Sequence, residues 1–141
     1  VPTRSMPEAL AALVAYAPEA DAVDTASDMA LAAESVITGE VTQAVRDSKS
    51  PVGDVVKGDW IGLVRGDGIA SVAATAEGAA MALLDRIIDE NAELVTLVTG
   101  ADADPAVTDQ IVGWLGDHRG DIQVDVHHCG QPLYPYLFGV E

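Results

Sequence analysis

Several short stretches of this chain carry residue types that do chemistry. His127-His128-Cys129 joins two imidazoles to the only thiol in the sequence. On a strand, Asp125, His127 and Cys129 share one face, while His128 falls with Val124 and Val126. A rise of about 3.3 Å per residue sets the ends of that triplet roughly 13 Å apart. Zinc–ligand bonds are only about 2.0–2.3 Å long. One ion therefore takes at most two ligands from this strand, and His118 would have to arrive from elsewhere; a polar strand end is the simpler reading. Cys129 as a nucleophile meets a related obstacle, because His128 points to the opposite side and only His127 is placed to act as its base.

Arg46 stands out because basic groups are scarce: seven Lys plus Arg face 23 Asp plus Glu. It ends the alternating run Val41-Thr42-Gln43-Ala44-Val45, on the face opposite Val41 and Val45. There it pairs with a nearby Asp or meets an anionic ligand or partner, a role that suits the guanidinium fork. Gly130-Gln131-Pro132-Leu133-Tyr134-Pro135-Tyr136 holds two of the three tyrosines. They pack a sheet edge or form a contact patch, since Tyr is enriched at interface hot spots. Gln131, Tyr134 and Tyr136 thus join Arg46 as candidate partner- or ligand-binding residues.

Other patterns fail on their surroundings. Gly53 and Gly58 have phosphate-loop spacing, but Asp59 stands where the Lys belongs and repels a phosphate. Arg65-Gly66-Asp67 is the integrin tripeptide, and with Gly68 it reads more simply as a hairpin turn. Asp85, Asp89, Glu90 and Glu93 form a solvated face around a helix end. Asp102 and Asp104 sit at a helix start, where the dipole favours anions.

These residues need elements to position them. Ser5-Met6-Pro7-Glu8 reads as a capping box, followed by a helical stripe of Met6, Leu10, Leu13, Val14 and Ala17 that Pro18 closes. Thr25-Ala26-Ser27-Asp28 predicts a second cap, with Met29, Ala33 and Val36 on one face and Gly39 as the stop. A strand over 41–45 and a loop from Ser48 to Gly53 come next. Then Trp60 to Arg65 and Ile69 to Ala73 form a hairpin. A helix over 75–89 carries Ala80, Met81, Leu84, Ile87 and Ile88. The nearly continuous apolar run Leu94 to Val98 predicts a buried parallel strand. Asp104-Pro105 caps a helix with Val107, Ile111, Val112 and Leu115. Ile122, Val124 and Val126 complete a right-handed βαβ unit. A last strand runs from about Tyr134 to Val140, and Pro132 and Pro135 suit an edge or a strand start. The expectation is a single α/β domain over residues 1–141. It has a mixed sheet, a C-terminal parallel βαβ unit and an N-terminal helical pair plus hairpin.

Composition narrows the function. The chain has 141 residues, a net charge of −16 and 49% hydrophobic residues, so it is no disordered acidic tail. Nucleic acid, anionic membrane and an unaided ATP site all need a positive field that this chain lacks. Residues 1–70 carry five basic and eleven acidic groups, and residues 71–141 carry two and twelve, so neither half is a basic tail. A lone cysteine forms no internal disulfide and fits a reducing compartment. There is no signal-peptide pattern and no apolar run of membrane-spanning length, so the expected location is cytoplasmic. The start at Val1-Pro2-Thr3, without Met, reads as a processed or excised terminus.

Several segments taken together carry a resemblance. They are Val1-Pro2-Thr3-Arg4-Ser5 leading into Ala9-Leu10-Ala11-Ala12-Leu13, and Gly39-Glu40-Val41-Thr42-Gln43-Ala44-Val45-Arg46-Asp47. Lys57-Gly58-Asp59-Trp60-Ile61-Gly62 and the terminal Gly130-to-Tyr136 stretch with Gly139-Val140-Glu141 complete the set. In order and end to end, these resemble the C-terminal region of the dihydroxyacetone-kinase-like proteins that form the kinase subunit of bacterial fatty acid kinase. The resemblance implies an N-terminal kinase domain, absent from this chain, that holds Mg-ATP. It also implies a DegV-type fatty-acid-binding partner and a C-terminal region that docks it, with a layout echoing the partner's own DegV-like domain. Val1-Pro2-Thr3 looks like the end of a family strand. No kinase residue of the family has a counterpart here, and no docking motif carries over residue by residue. Two alternatives stay open: a small-molecule or fatty-acid-binding domain anchored by Arg46, and an independent enzyme using Cys129 or a metal. Oligomeric state stays open as well.

Overall fold

A computed structural model describes residues 1–141. Ser5 caps α1 (Met6–Val14): its Oγ accepts the Glu8 N–H at 3.2 Å, and the Glu8 carboxylate accepts the Arg4 N–H at 2.7 Å. The Ser5 cap forms as the sequence predicts, with the return bond from Glu8 shifted to Arg4, one residue before the cap, but the buried face differs. Pro7, Glu8, Ala11 and Ala12 face inward, while Leu13 and Val14 are 65% and 87% exposed. The reason is close approach: a Cβ on Gly139 would lie 2.7 Å from the Pro7 Cβ, so this contact admits only small groups. The helix ends three residues before Ala17. Next, α2 (Ala22–Ser35) starts earlier than the Thr25 cap would have it, with the Asp21 carboxylate accepting the Val23 N–H at 2.8 Å. Thr25 lies inside the helix and donates its hydroxyl to the Ala17 carbonyl.

Gly39 does not stop α2. It lies within β1 (Ile37–Gln43), which the β-branched run Val36-Ile37-Thr38 starts four residues ahead of the predicted strand. The stretch read as a loop contains a small hairpin, β2 (Ser48–Ser50) and β3 (Gly53–Val55). The second hairpin, β4 (Trp60–Val64) and β5 (Gly68–Ala73), lies where predicted. Its turn is Arg65-Gly66-Asp67, with Arg65 held to Glu40 at 2.9 Å. Thr75 caps α3 (Ala76–Ile87), whose buried residues include the predicted Ala80, Leu84 and Ile87 and also Leu83. A βαβ unit follows: β6 (Leu94–Thr99), α4 (Pro105–His118) capped by Asp104, and β7 (Gln123–His128), with β6 and β7 parallel.

The last strand, β8 (Tyr136–Val140), is not an edge. The six-stranded sheet runs β5-β4-β1-β8-β6-β7, so β8 is inserted antiparallel between β1 and β6. Pro132 and Pro135 stand ahead of it, which leaves every ladder N–H intact. The fold is therefore α/β with a mixed sheet and four helices. One face is covered by α3 and α4 over Val41, Val95, Leu97, Tyr136 and Phe138; α1 lies on the other, against β8 and β6. No helix is long and apolar enough to cross a membrane.

Candidate functional site

Strand directions gather the sequence-predicted residues at one end of the sheet. There β1, β5, β6 and β7 finish, while β4 and β8 begin. Trp60 lies opposite Gln43 and Ala73, Tyr136 opposite Val41 and Thr99, and Thr99 opposite His128. The N-termini of α3 and α4 open at the same end, because each helix follows β5 or β6 directly. Crevices outside the carboxyl ends of strands are where open α/β sheets hold ligands.

The segment 129–135 crosses this end from β7, over β6, to β8. It is pinned by backbone bonds: Cys129 and Gly130 N–H donate to the Thr99 carbonyl at 3.0 and 3.1 Å, Ala101 N–H to Gln131 O at 3.0 Å, and Gly100 N–H to Pro135 O at 2.8 Å. Gly100 is required by proximity, since a Cβ there would meet the Gln131 and Tyr134 carbonyl oxygens at 2.6 Å. Gln131 is an internal brace. Its Nε2 donates to Tyr134 O at 3.2 Å and Val98 O at 3.5 Å, and its Oε1 is buried without a partner. Tyr136 is 1% exposed, and its hydroxyl both accepts the Asp104 N–H and donates to the Asp104 carbonyl, each at 3.0 Å. Gln131 and Tyr136 thus shape this end from within rather than by surface contact.

Arg46 and Tyr134 do meet a common surface. Arg46 is exposed on a bend past β1, not on the strand, and lines a groove of about 430 Å³ with Val45, Val55, Ile61, Leu133 and Tyr134. The Thr42 hydroxyl donates to Leu133 O at 2.9 Å and joins the two walls. Leu133, which sequence reasoning passed over, is the only non-glycine residue with positive φ, at 74°, yet its side chain is 78% exposed. Holding a leucine in that region costs roughly 1–2 kcal/mol. Its position between Pro132 and Tyr134, amid turn residues, was the available signal.

His128 and Cys129 open on a second cavity of about 340 Å³, with Thr99, Gly100 and Thr108. His128 Nδ1 shares a 2.7 Å hydrogen bond with Thr99 Oγ1. His118 is elsewhere engaged, stacked on Trp114 with ring centres 4.6 Å apart. No three His, Cys, Asp or Glu side chains come together as a metal-holding group. Beside this cavity, Glu77, Asp102 and Asp104 flank Trp60 around a cleft of about 270 Å³. The perturbed ionisations lie away from this end. The Arg119 guanidinium, bonded to Asp121 at 3.1 Å, holds that carboxyl below its usual range, and burial pushes the Glu141 carboxyl up.

A family model for the FakA-like C-terminal region of fatty acid kinase matches residues 1–141. An uncharacterized protein of Staphylococcus haemolyticus is 38% identical over 144 residues, covering all of this chain and 25% of the relative. Uncharacterized proteins of Staphylococcus epidermidis and Staphylococcus aureus are 36% and 35% identical over 141 residues, again across the whole chain and 25% and 26% of their own lengths. The chain spans about a quarter of the length of the curated relatives it matches.

Proposed function

The chain belongs to the FakA-like C-terminal family of fatty acid kinase, and from that premise we propose that it is a non-catalytic docking domain of an acyl-phosphorylating enzyme. In this reading Mg-ATP is held by a separate N-terminal kinase domain. The partner is a DegV-type protein that carries the fatty acid, and its likeness to this fold belongs to the same proposal. The domain's contribution is orientation: fixing the carrier converts an encounter between acyl carboxylate and nucleotide into a positioned reaction.

The observation that carries the proposal is family membership over the whole chain. The arrangement of one end of the sheet supports it, because a rigid, internally braced surface suits docking at little entropic cost. Charge supports it too. At −16 the chain favours a partner with a basic face. The cleft of Glu77, Asp102, Asp104 and Trp60 offers three carboxylates beside an indole, a setting for lysine or arginine side chains.

The test is sedimentation of the folded chain mixed with a DegV-type acyl-binding protein. A complex is expected whose affinity falls with added salt and falls further in Asp102→Lys and Glu77→Lys, with Arg46→Gln as the unaffected control. No association at high micromolar concentration, with the chain shown folded by circular dichroism, would sink the docking reading.

A further inference from the structure

We propose that the outward face of the α1–α2 pair docks a partner protein through a cationic amphipathic helix. This goes beyond the docking reading and does not rest on it. α1 lies on one face of the sheet, whereas the cleft of Glu77, Asp102 and Asp104 opens at the starts of α3 and α4 on the other. The first support is that α1 turns its apolar stripe away from its own domain. Met6, Leu10, Leu13 and Val14 recur at i, i+4, i+7 and i+8, the spacing of a stripe meant for burial. In the fold Pro7, Glu8, Ala11 and Ala12 take the inner face, and Leu13 and Val14 stand in water. α2 repeats the arrangement. Only Thr25 and Ala33 of its 14 residues are buried. Val23, Ala26, Ser27, Ala30 and Leu31 follow i, i+3, i+4, i+7 and i+8 on the outer side, with Val23 76% and Leu31 62% exposed. Tyr16, in the connection between the helices, is 58% exposed. Five of the eleven large hydrophobics that the chain exposes therefore fall within residues 13–31. Single exposed apolar residues are ordinary, but a concentration of them marks an interaction surface.

Shape and charge select the occupant. α2 runs back along α1. Thr25 donates its hydroxyl to the Ala17 carbonyl at one end, and Ala33 and Glu34 share a cleft with Arg4 and Glu8 at the other. Two antiparallel helices leave a groove between their ridges that a third helix fills. The flanks of that helix follow from the rim. Residues 5–45 hold no Lys, Arg or His and seven Asp or Glu. Glu8 and Glu40 are buried against Arg4 and Arg65, but Glu19, Asp21, Asp24, Asp28 and Glu34 are exposed and form no salt bridge. Asp24 and Asp28 each follow the outer stripe by one position and so border it. No basic residue stands in the last turn of either helix, so the carbonyl end of α1 lacks a cation as well. Such a rim repels a second copy of this acidic chain and an anionic bilayer. It attracts lysine or arginine placed beside an apolar stripe.

The experiment is a fluorescence-anisotropy titration of the chain into labelled peptides of 14 residues, the length of α2. The first peptide carries leucine at i, i+3, i+4, i+7 and i+11 with lysine on the flanks. A second has the same residues in scrambled order, and a third has glutamate in place of lysine. Saturable one-to-one binding of the first is expected. Leu13→Ser and Leu31→Ser should each weaken it by about tenfold, the scale of burying one leucine. Both leucines are exposed, so circular dichroism and the melting temperature should change little. Asp24→Asn combined with Asp28→Asn should weaken binding about two- to fivefold, and Asp109→Asn in α4 should leave it unchanged. Equal binding of the ordered and scrambled peptides, or of the lysine and glutamate peptides, would overturn the proposal. So would full binding by both leucine variants, or an equal loss from Asp109→Asn. A concentration-dependent dimer that Leu13→Ser and Leu31→Ser dissolve would overturn it by giving the face to a second copy. Peptide binding by this chain but not by a full-length family member would overturn it by giving the face to the longer protein's own polypeptide.

Discussion

Replacing Gly100 by alanine tests whether the crossing segment is held as closely as its geometry requires. The added methyl would sit 2.6 Å from the carbonyl oxygens of Gln131 and Tyr134, and both are backbone atoms, so no flexible side chain can swing away. Ordinary contact begins near 3.4 Å, so each oxygen must retreat by about 0.8 Å. That retreat works against the Ala101 and Gly100 N–H bonds to Gln131 O and Pro135 O, at 3.0 and 2.8 Å. Overpacking of this kind costs about 1–3 kcal/mol, a weakened hydrogen bond about 1 more, and reduced freedom of the unfolded chain returns about 0.4–1. The net loss is about 1–3 kcal/mol, or a melting temperature lower by roughly 3–12 °C. Urea unfolding should show a lower midpoint with an unchanged slope. Amide exchange at Cys129 and Gly130, both bonded to the Thr99 carbonyl, should accelerate more than exchange in β8. An unchanged melting temperature with unchanged protection of those amides would refute the close approach.

Gly113→Ala makes the opposite change: it lies in α4 with no heavy atom within 4 Å of the new Cβ, so stability should rise by about 0.5–1 kcal/mol in urea unfolding. A loss instead would mean that this face of α4 is not open. Tyr136→Phe removes both hydroxyl bonds to Asp104 and should cost about 1–2 kcal/mol, with faster amide exchange in the first turn of α4; a neutral result would show that water replaces the hydroxyl without loss. Burial raises the Glu141 carboxyl above 4.5, so its favourable contribution is present below 4.5 and is lost as pH rises through the higher folded value. Glu141→Gln should therefore melt higher than the parent near neutrality and equal it in acid; a gap that widens in acid would reverse the sign of the argument.

The elements most legible in the sequence were those that carry their own signals. The Asp104-Pro105 cap, the apolar run of β6 and the Gly66-Asp67-Gly68 turn each name a structure locally. What sequence misses is decided between distant segments. α1 buries alanines and a proline because Gly139, more than a hundred residues later, lets the helix approach, and no periodicity reveals that. β8 is central because residues 37–41 and 95–99 both pair with it. Its unbroken Tyr-Leu-Phe-Gly-Val run was the sign of burial on both faces. The site behaves in the same way. Arg46 and Tyr134 were picked for scarcity and clustering, and they share a groove only because β1 and β8 are neighbours and Thr42 bonds Leu133. Tyr136 and Gln131 carried the same signals but are committed inward.

The acid excess takes on a different meaning once its exceptions are placed. Arg119 bonds Asp121 through two nitrogens and the Asp89 carbonyl through a third, joining the segment after α3 to the one after α4. Arg65 ties the β4–β5 turn to Glu40 of β1, and Arg4 ties the N-terminus to α1. The exposed Arg119–Asp121 pair contributes little to stability, whereas the Glu8 and Glu40 carboxylates are buried, so removing Arg4 or Arg65 would leave a buried charge without its partner. The three pairs show where the chain places its few cations when structure is the purpose: each joins two segments. Arg46, Lys49 and Lys57 join nothing by a salt bridge, although Asp47, Asp54 and Asp59 lie within the same stretch. Two of those carboxylates instead accept backbone N–H groups, Asp47 from Lys57 and Asp59 from Val56, both about 2.9 Å or shorter. Asp47 and Asp59 are thus engaged in shaping the hairpin base, while Arg46, Lys49 and Lys57 beside them make no salt bridge.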